Sequence, residues 1–317
     1  MTNTKKIFIT GGAGYIGTKL IPMLLDLNYK VTVYDSLLFN NGDKLLPYIS
    51  NENFNFIKGD IRDEELLKKH IGNYDVVIHL AALVGFPICK QYGQTESHSV
   101  NTLGTDIVIR NMHSEQYLLF GSTGSNYGEV DGICYENTPL NPLSIYGKSK
   151  TMAENIILNR KNSTAFRFAT AFGVSPRLRL DLLINDLTFK SIKEGYAVIY
   201  ESHFMRTFIH VRDIANAFVF AIENMDKMRD EVYNVGSNSM NFSKKEICEI
   251  IKKQVDNVYF NYADVGEDVD KRNYQVSYEK LNKLGFETSI SIEEGIKEMI
   301  NVIPLIKLYN PYFNILK

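Results

Sequence analysis

The chain has 317 residues, of which 44% are hydrophobic and 23% charged, a composition typical of globular enzymes and not of disordered or fibrous chains. Lysine and arginine total 35 against 37 aspartate and glutamate, so the strong cationic excess of a general nucleic-acid binder is excluded. Three separated cysteines without a CxxC pair, and six histidines without an HExxH pair, predict neither a disulfide scaffold nor a metal site. With no stretch resembling a membrane span or a signal peptide, we expect a cytoplasmic protein that contacts no membrane.

The first half of the chain alternates short apolar runs with helical patterns. Six runs predict strands, at 7–9, 31–34, 54–57, 76–80, 117–120 and 165–168. These runs are apolar without polar alternation, which indicates strands of a parallel sheet that helices cover on both faces. Between the first two strands, a helix places Leu20, Ile21, Leu24 and Leu25 on one face and stops near Asn28. We predict an α/β fold with a Rossmann-like doubly wound parallel sheet.

Beyond residue 170 the pattern changes to helices at 182–193, 214–223, 244–253 and 292–300, with short strands between them. This pattern predicts a smaller α+β C-terminal lobe formed by 171–204 and 226–317. The first domain then comprises 1–170 together with roughly 205–225, where a helix that Asp213 caps packs back on the sheet. The stretch 303–317 is predicted to be an irregular tail.

Three glycines directly after the first predicted strand, Gly11, Gly14 and Gly17, form a GxxGxxG pattern that opens the first helix. Glycine permits the tight turn and lets a pyrophosphate approach the backbone N–H groups and the helix dipole. Asp35 ends the second strand, where its carboxylate can accept hydrogen bonds from ribose hydroxyls and repel the 2′-phosphate of NADP. The pattern therefore predicts an NAD site in the first domain.

The same site takes further residues from the loop and from the ends of the third and fourth strands. Asp60 is placed to meet the adenine edge, although an ordinary loop acid is the alternative. Ala81 and Ala82 have small side chains that let a cofactor lie against the sheet. The remaining members are Tyr15, Ile16, Ile61 and Leu80.

Tyr146 and Lys150 form a YxxxK pair, which shares one helix face. Oxidation of an alcohol needs a base, and a free tyrosine, with a pKa of about 10, is protonated at neutral pH. A cation at ~4 Å supplies roughly 4 kcal/mol, on the order of three pKa units before any desolvation cost. An exposed pair is the alternative, but the segment Gly-Ser-Thr-Gly-Ser-Asn-Tyr-Gly at 121–128 favours a catalytic setting.

Taken together, these motifs resemble the extended short-chain dehydrogenase/reductases that act on nucleotide sugars. The matching segments run in the family's order at 10–17, 79–82, 101–105, 123–128, 144–150, 167–170, 206–213 and 272–277. The resemblance implies that Tyr146 is the catalytic base, that Lys150 modulates it and binds the ribose, and that Thr123 orients the substrate.

The resemblance also implies a binding site for the nucleotide sugar. Arg206 and Arg272 are expected to clamp its pyrophosphate, since guanidinium binds phosphate through two hydrogen bonds. Surface salt bridges are the alternative for both. Thr170 and Asn185 are expected to contact the substrate, and the arginines of the segment 177–179 either add to this pocket or belong to a solvated loop.

The residues after Thr123 restrict the reaction. Family dehydratases place Asp-Glu there, the 3,5-epimerases a cysteine and the decarboxylases a glutamate at the second position, whereas this chain has Gly124 and Ser125. NAD-dependent oxidation of the sugar C4 hydroxyl remains. The stretches 79–85 and 175–185 resemble GDP-heptose 4-dehydrogenases of surface polysaccharide biosynthesis, which is our first prediction, with GDP-linked sugars favoured over UDP-linked ones.

Two other functions stay open: a 4-epimerase of the UDP-galactose type and, more remotely, a non-catalytic NAD-binding regulator. The resemblance also implies a homodimer, in which helices at 97–112 and 146–157 pair across a four-helix bundle. The alternative is that both helices only cover the sheet.

Overall fold

The computed structural model describes residues 4–263 and 273–306, so Arg272 and most of the predicted C-terminal tail (307–317) lie outside the described residues. The described strands are β1 (Lys6–Thr10), β2 (Lys30–Asp35), β3 (Phe54–Lys58), β4 (Val76–His79), β5 (Tyr117–Thr123), β6 (Glu129–Cys134), β7 (Ser163–Phe168), β8 (Thr170–Phe172), β9 (Tyr196–Tyr200), β10 (Met205–His210), β11 (Glu231–Val235), β12 (Asn241–Ser243), β13 (Tyr259–Ala263) and β14 (Asn273–Val276). The described helices are α1 (Gly17–Asp26), α2 (Glu64–Ile71), α3 (Phe86–His98), α4 (Gly104–Arg110), α5 (Ile145–Leu158), α6 (Leu183–Lys193), α7 (Val211–Glu223), α8 (Met225–Met228), α9 (Lys244–Lys252), α10 (Glu279–Asn282) and α11 (Ile292–Val302).

Within the described residues, seven parallel strands form one sheet in the order β11-β7-β5-β4-β1-β2-β3. This confirms the Rossmann-like α/β fold, and the six predicted strands correspond to β1 to β5 and β7. The prediction was wrong for β11, which falls in the range assigned to the second lobe but pairs with β7. A parallel neighbour needs a long crossover, and α7 supplies it by returning the chain to the sheet edge.

The strand order reverses between β1 and β4, the place in a doubly wound sheet where a crevice opens at the carboxyl ends of the strands. The turn after β1 contains Gly11 with φ 72°, a conformation that favours glycine. Helix α1 then buries its predicted apolar face, and Asn28 follows it with φ 59°, as expected of a residue that stops a helix.

The predicted YxxxK pair lies on α5. This helix begins where the Oγ of Ser144 accepts a hydrogen bond from the backbone N of Gly147 at 3.0 Å, a side-chain N-cap. Helix α5 packs beside α3 and against β5, so its first two turns stand next to the carboxyl end of the sheet.

A second core is centred on Phe172, Ile184, Phe208, Ile247 and Ile296. Phe208 on β10 belongs to it, although the sequence predicted that 205–225 belongs to the first domain. Small sheets border this core, with strand orders β12-β10-β8 and β13-β9 among the described residues. No helix in the described ranges is both long and apolar enough to span a bilayer.

The start of α7 differs from the prediction. The N-cap is His210, whose Nδ1 accepts from the backbone N of Arg212 at 3.2 Å, and not Asp213. Asp213 lies in the first turn, and its carboxylate accepts hydrogen bonds from the backbone N of Ser289 and of Ile290, both at 3.1 Å. It therefore anchors the segment before α11 to this helix.

Candidate active site

A cavity of about 380 Å³ opens at the carboxyl ends of β1, β2, β4 and β5. Its wall brings together every cofactor residue predicted from the sequence: Gly11, Gly14, Tyr15, Ile16, Gly17, Asp35, Asp60, Ile61, Leu80, Ala81, Ala82, Tyr146 and Lys150. Thr123 and Thr170 also line it. The predicted cofactor residues at 11–82 and the predicted catalytic and substrate residues at 123–170 therefore share one cavity.

The glycine turn packs so closely against neighbouring backbone that it has no space for side chains at Gly11 and Gly14. A Cβ atom on Gly11 would lie 2.5 Å from the backbone N of Ala81, and one on Gly14 would lie 3.0 Å from the carbonyl oxygen of Gly11. The helix α1 begins directly after this turn, at Gly17. A bare backbone at the start of a helix fits the pyrophosphate of a dinucleotide.

The carboxylate of Asp35 is held by the backbone. Its Oδ2 accepts from the N of Ala13 at 3.0 Å and its Oδ1 from the N of Leu37 at 2.8 Å. Burial raises the pKa of Asp35, and these two hydrogen bonds oppose that shift. Each carboxylate oxygen has a second lone-pair position, so both can still accept a ribose hydroxyl.

Asp60 is bound differently, because its carboxylate contacts Arg62 at 2.7 Å. This guanidinium lowers the pKa of Asp60. Arg62 in turn contacts Glu96 at 2.7 Å, so Asp60 belongs to an ion-pair group at the rim of the cavity.

Residues 173–181 contribute Arg177 and Arg179 to the cavity wall. The Tyr15 hydroxyl donates to the carbonyl oxygen of Gly173 at 2.7 Å, and the Ser175 hydroxyl donates to the carbonyl oxygen of Tyr15 at 2.7 Å. The guanidinium of Arg179 donates to the carbonyl oxygen of Val84 at 3.4 Å. This 173–181 segment therefore joins the glycine turn to the loop after β4.

Arg177 is buried and the side chain of Arg179 is 11% exposed, so the solvated-loop alternative is wrong. Arg177 is 3% exposed and lies 5.0 Å from the centre of the Phe39 ring. Arg179 pairs with Asp181, and this carboxylate raises its pKa against the effect of burial. These two side chains are shielded from water because the segment docks on the first domain. The sequence of the segment alone does not indicate this docking.

Asn185 and Arg206 are not brought to the cavity. The Oδ1 of Asn185 accepts from the backbone N of Gly173 at 2.9 Å, and its Nδ2 donates to the carbonyl oxygen of Arg179 at 2.8 Å, so its side chain supports the 173–181 segment. Arg206 on β10 is 2% exposed and donates to the carbonyl oxygen of Met205 at 3.1 Å. Neither forms part of the described cavity wall.

The amine of Lys150 reaches the floor of the cavity. It is 3% exposed, and its Nζ lies 3.9 Å from the centre of the Phe120 ring. Burial lowers the pKa of Lys150 to about 7, and the nearby Glu154 carboxylate partly opposes that shift. Lys150 can therefore change its protonation state near neutral pH.

Thr123 ends β5 at the cavity wall and is 7% exposed. Its Oγ1 accepts from the backbone N of Ser125 at 3.1 Å and donates to the Oγ of Ser125 at the same distance. The hydroxyl has one lone pair beyond these bonds, with which it can contact a ligand.

Sequence reasoning missed a buried polar network behind Thr123. The carboxylate of Glu154 accepts from Ser122 at 2.5 Å and from Asn126 at 3.0 Å, and it pairs with Arg167 at 2.6 Å. The sequence signal for this network was the position of Glu154, one helical turn after Lys150 on the same helix. Within residues 4–263 and 273–306, no group of three histidine, cysteine, aspartate or glutamate side chains is arranged to hold a metal ion.

Comparison with known proteins matches residues 7–236 to the model of the NAD dependent epimerase/dehydratase family. The chain is 28% identical over 307 residues to a putative UDP-glucose 4-epimerase of Methanocaldococcus jannaschii, covering 93% of this chain and 97% of that protein. It is 30% identical over 275 residues to the UDP-glucose 4-epimerase of Halalkalibacterium halodurans, covering 78% and 79%. Among solved structures, the UDP-glucose 4-epimerase of Thermotoga maritima superposes with a TM-score of 0.82 at 25% identity, covering 95% and 99%.

Proposed function

We propose that this chain, which belongs to the NAD dependent epimerase/dehydratase family, is a 4-epimerase of a nucleotide sugar. NAD is its cofactor, and the glycine turn with Asp35 would hold it. The observation that carries the proposal is the meeting of Tyr146, Lys150 and Thr123 with this glycine turn in one cavity.

The side chains divide the reaction between them. Tyr146 takes the proton of the sugar C4 hydroxyl, and the ammonium of Lys150 stabilises the phenolate that does so. Thr123 would hold the oxygen of the same hydroxyl by donating its own hydroxyl hydrogen, which in the unliganded protein goes to the Oγ of Ser125. Bound NAD supplies the oxidising power, since it accepts the two electrons and the hydrogen of the sugar carbon.

Two observations favour epimerisation over net oxidation. The three relatives described above are named as 4-epimerases, whereas none of them is a GDP-heptose 4-dehydrogenase, our first prediction. An epimerase must also keep its cofactor between oxidation and re-reduction. The 173–181 segment supports such retention, because it bonds to Tyr15 in the glycine turn and to Val84 after β4, both of which line the cavity.

The substrate assignment follows the relatives. Since their names specify UDP-glucose, we propose a UDP-linked sugar in place of the GDP-linked one predicted first. We further propose that the first domain holds NAD, that the second lobe holds the nucleotide sugar, and that Arg206 and Arg272 bind its pyrophosphate. Arginine is the side chain best suited to that task.

A homodimer belongs to the same proposal. Leu103, at the end of the π-helical segment Ser99–Leu103 that joins α3 to α4, is 50% exposed, and Met152 on α5 is 46% exposed. Both lie on the helices predicted to pair across a four-helix bundle, and their apolar side chains support that pairing. Sedimentation that finds only monomer at micromolar concentration would contradict it.

The deciding experiment measures product mass and retention time for a panel of UDP- and GDP-linked hexoses and heptoses. A 4-epimerase gives a product of unchanged mass and shifted retention, over many turnovers per bound NAD and without NADH accumulating. A loss of two mass units, with one NADH per product, would establish a 4-dehydrogenase instead. A loss of eighteen would indicate dehydration and contradict the interpretation of Gly124 and Ser125.

A further inference from the structure

We propose that Glu154 is a positioning residue of this site, which fixes Thr123 relative to the helix of Tyr146 and keeps a negative charge beside Lys150. The proposal deepens the proposed function and rests on it, because it assumes that these three residues carry the reaction. The side chain of Glu154 is fully buried, yet it does not line the cavity. It therefore acts through its neighbours and not on a ligand.

The first step is geometric. One oxygen of the Glu154 carboxylate, Oε2, accepts from the Ser122 hydroxyl at 2.5 Å and from the Asn126 amide at 3.0 Å. Ser122 precedes Thr123 on β5, and Asn126 ends the short turn that follows it. A carboxylate on α5 thus holds the backbone on both sides of the hydroxyl that faces the cavity.

The second step concerns the partner that fixes the carboxylate. Arg167 on β7 contacts Glu154 through its Nη2 at 2.6 Å and its Nε at 3.0 Å, and both side chains are buried. The Nη1 of Arg167 also donates to the Tyr127 hydroxyl at 3.0 Å and to the carbonyl oxygen of Glu136 at 2.9 Å. A buried ion pair adds little net stability, so the Glu154–Arg167 pair is better explained by the neighbouring side chains that it orients.

The third step is electrostatic. Glu154 follows Lys150 by four residues on α5, so the two side chains share one face of the helix. His79 on β4 also faces Lys150, but burial lowers the pKa of His79 to about 3 and the ring is neutral. Cys89 on α3 faces it too, and burial raises the pKa of this thiol.

Two arginines also lie near the pair, and one of them, Arg179, is itself paired with Asp181. Arg179 in the 173–181 segment interacts electrostatically with Tyr146, and Arg167 is bound to Glu154 itself. Of the described groups named here that face Lys150, Glu154 is the carboxylate, and its interaction with Lys150 raises the pKa of the amine against burial. It favours the ammonium form of Lys150, the form that stabilises a Tyr146 phenolate.

The test measures the protonation of Lys150 without any substrate. The purified protein is acetylated with trace acetic anhydride across a pH series, and the Lys150 peptide is quantified by mass spectrometry. Only the neutral amine reacts, so the midpoint of the curve reports its pKa, and added NAD should protect the residue. In Glu154→Gln we expect this midpoint to fall by about one pH unit, because the anion that favours the ammonium is gone.

Tyr127→Phe is the matched control. It removes the hydrogen bonds that the Tyr127 hydroxyl makes with Arg167 and Asn234 in the same network, but it changes no charge. We expect an unchanged midpoint there. Equal midpoints in the wild type and Glu154→Gln, or equal shifts in Glu154→Gln and Tyr127→Phe, would overturn the proposal.

Two further arms keep the test decisive. If Glu154→Gln does not fold, Glu154→Asp replaces it, because it withdraws the carboxylate by one methylene group. We expect Glu154→Asp to lower the midpoint by a smaller amount. An unchanged midpoint in this variant would contradict the proposal. In an active protein, the kcat of Glu154→Gln should fall more than its KM changes. If Glu154→Gln shifts the midpoint but the wild type converts no nucleotide sugar, the proposed function is wrong and the coupling of Glu154 to Lys150 still holds.

Discussion

The Nζ atom of Lys150 lies 3.9 Å from the centre of the Phe120 ring, and this aromatic contact replaces water beneath the amine. The ring face attracts a cation, but burial disfavours the charge and lowers the pKa of Lys150 to about 7. The Phe120 ring on β5 and the Glu154 carboxylate on α5 therefore both act on the amine of Lys150.

Replacement of the proposed base should abolish most of the rate. In Tyr146→Phe we expect kcat to fall by roughly 10²–10⁴-fold, the usual contribution of a positioned proton acceptor. NAD binding should persist, because the glycine turn and Asp35 are untouched. Rates on the active nucleotide sugar and NADH fluorescence titrations measure the two effects. Tyr196→Phe, on an exposed tyrosine of β9, is the control. A variant that keeps a tenth of the wild-type rate would remove Tyr146 from the mechanism.

Loosening of the 173–181 segment should release the cofactor faster. The Ser175 hydroxyl bonds to the carbonyl oxygen of Tyr15 at 2.7 Å and to the Thr18 hydroxyl at 3.0 Å. Loss of such bonds costs about 1 kcal/mol or slightly more, so Ser175→Ala should raise the NADH dissociation rate about five- to tenfold. Stopped-flow displacement of NADH by NAD gives the rate.

Ser191→Ala is the matched control for this change, because the Ser191 hydroxyl is also buried but bonds only within α6, to the carbonyl oxygen of Leu187. It should leave the dissociation rate unchanged. If both variants release NADH at the wild-type rate, the segment does not retain the cofactor.

The buried histidine of β4 should make the fold sensitive to acid. Thr10 and Thr105 contact the two ring nitrogens of His79 at 2.7 and 2.9 Å, and burial lowers its pKa to about 3. Between pH 6.5 and 3 the unfolded chain binds this proton and the folded one does not, so stability falls as the pH falls through that window.

By pH 5 the loss from His79 alone should be about 2 kcal/mol relative to pH 7. Urea unfolding of the wild type and of His79→Gln at both pH values isolates this contribution. The free energy of unfolding should decrease less in the variant. The assignment is wrong if the two proteins lose the same amount.

Arg206 tests the proposed pyrophosphate site. Its side chain does not line the described cavity, so a contact with substrate is the specific claim that the variant checks. If it binds the pyrophosphate of the nucleotide sugar, Arg206→Met should raise KM and the Kd of free UDP by tenfold or more, with a smaller change in kcat. Arg229→Met, at a half-exposed arginine paired with Asp226, serves as the control. An unchanged Kd for UDP would assign Arg206 to the packing of β10 alone.

Much of this site could be read from local sequence. The strands that lead to Gly11 and Asp35 are apolar runs, so the spacing of these motifs predicted residues that the structure brings to one cavity wall. The YxxxK pair is likewise local, because helical periodicity places Tyr146 and Lys150 on one face.

Other features depended on partners distant in the sequence. Asp213 resembles a helix cap, but its hydrogen bonds go to Ser289 and Ile290, which no local rule identifies. The burial of Arg177 and Arg179 depends on the docking of their segment on the first domain. Glu154 resembles any helix surface acid until β7 brings Arg167 beside it.

The 173–181 segment has a consequence for how the protein unfolds. It follows β8, outside the seven-stranded sheet, yet it bonds to Tyr15 in the glycine turn, where we propose that the cofactor binds. A bound dinucleotide is therefore linked to the docking of one lobe on the other. At a hundred times its Kd, NAD adds about 2.7 kcal/mol to the free energy of unfolding. That gain is shared by both lobes, so the melting temperature of the second lobe should rise with NAD concentration although the glycine turn lies in the first.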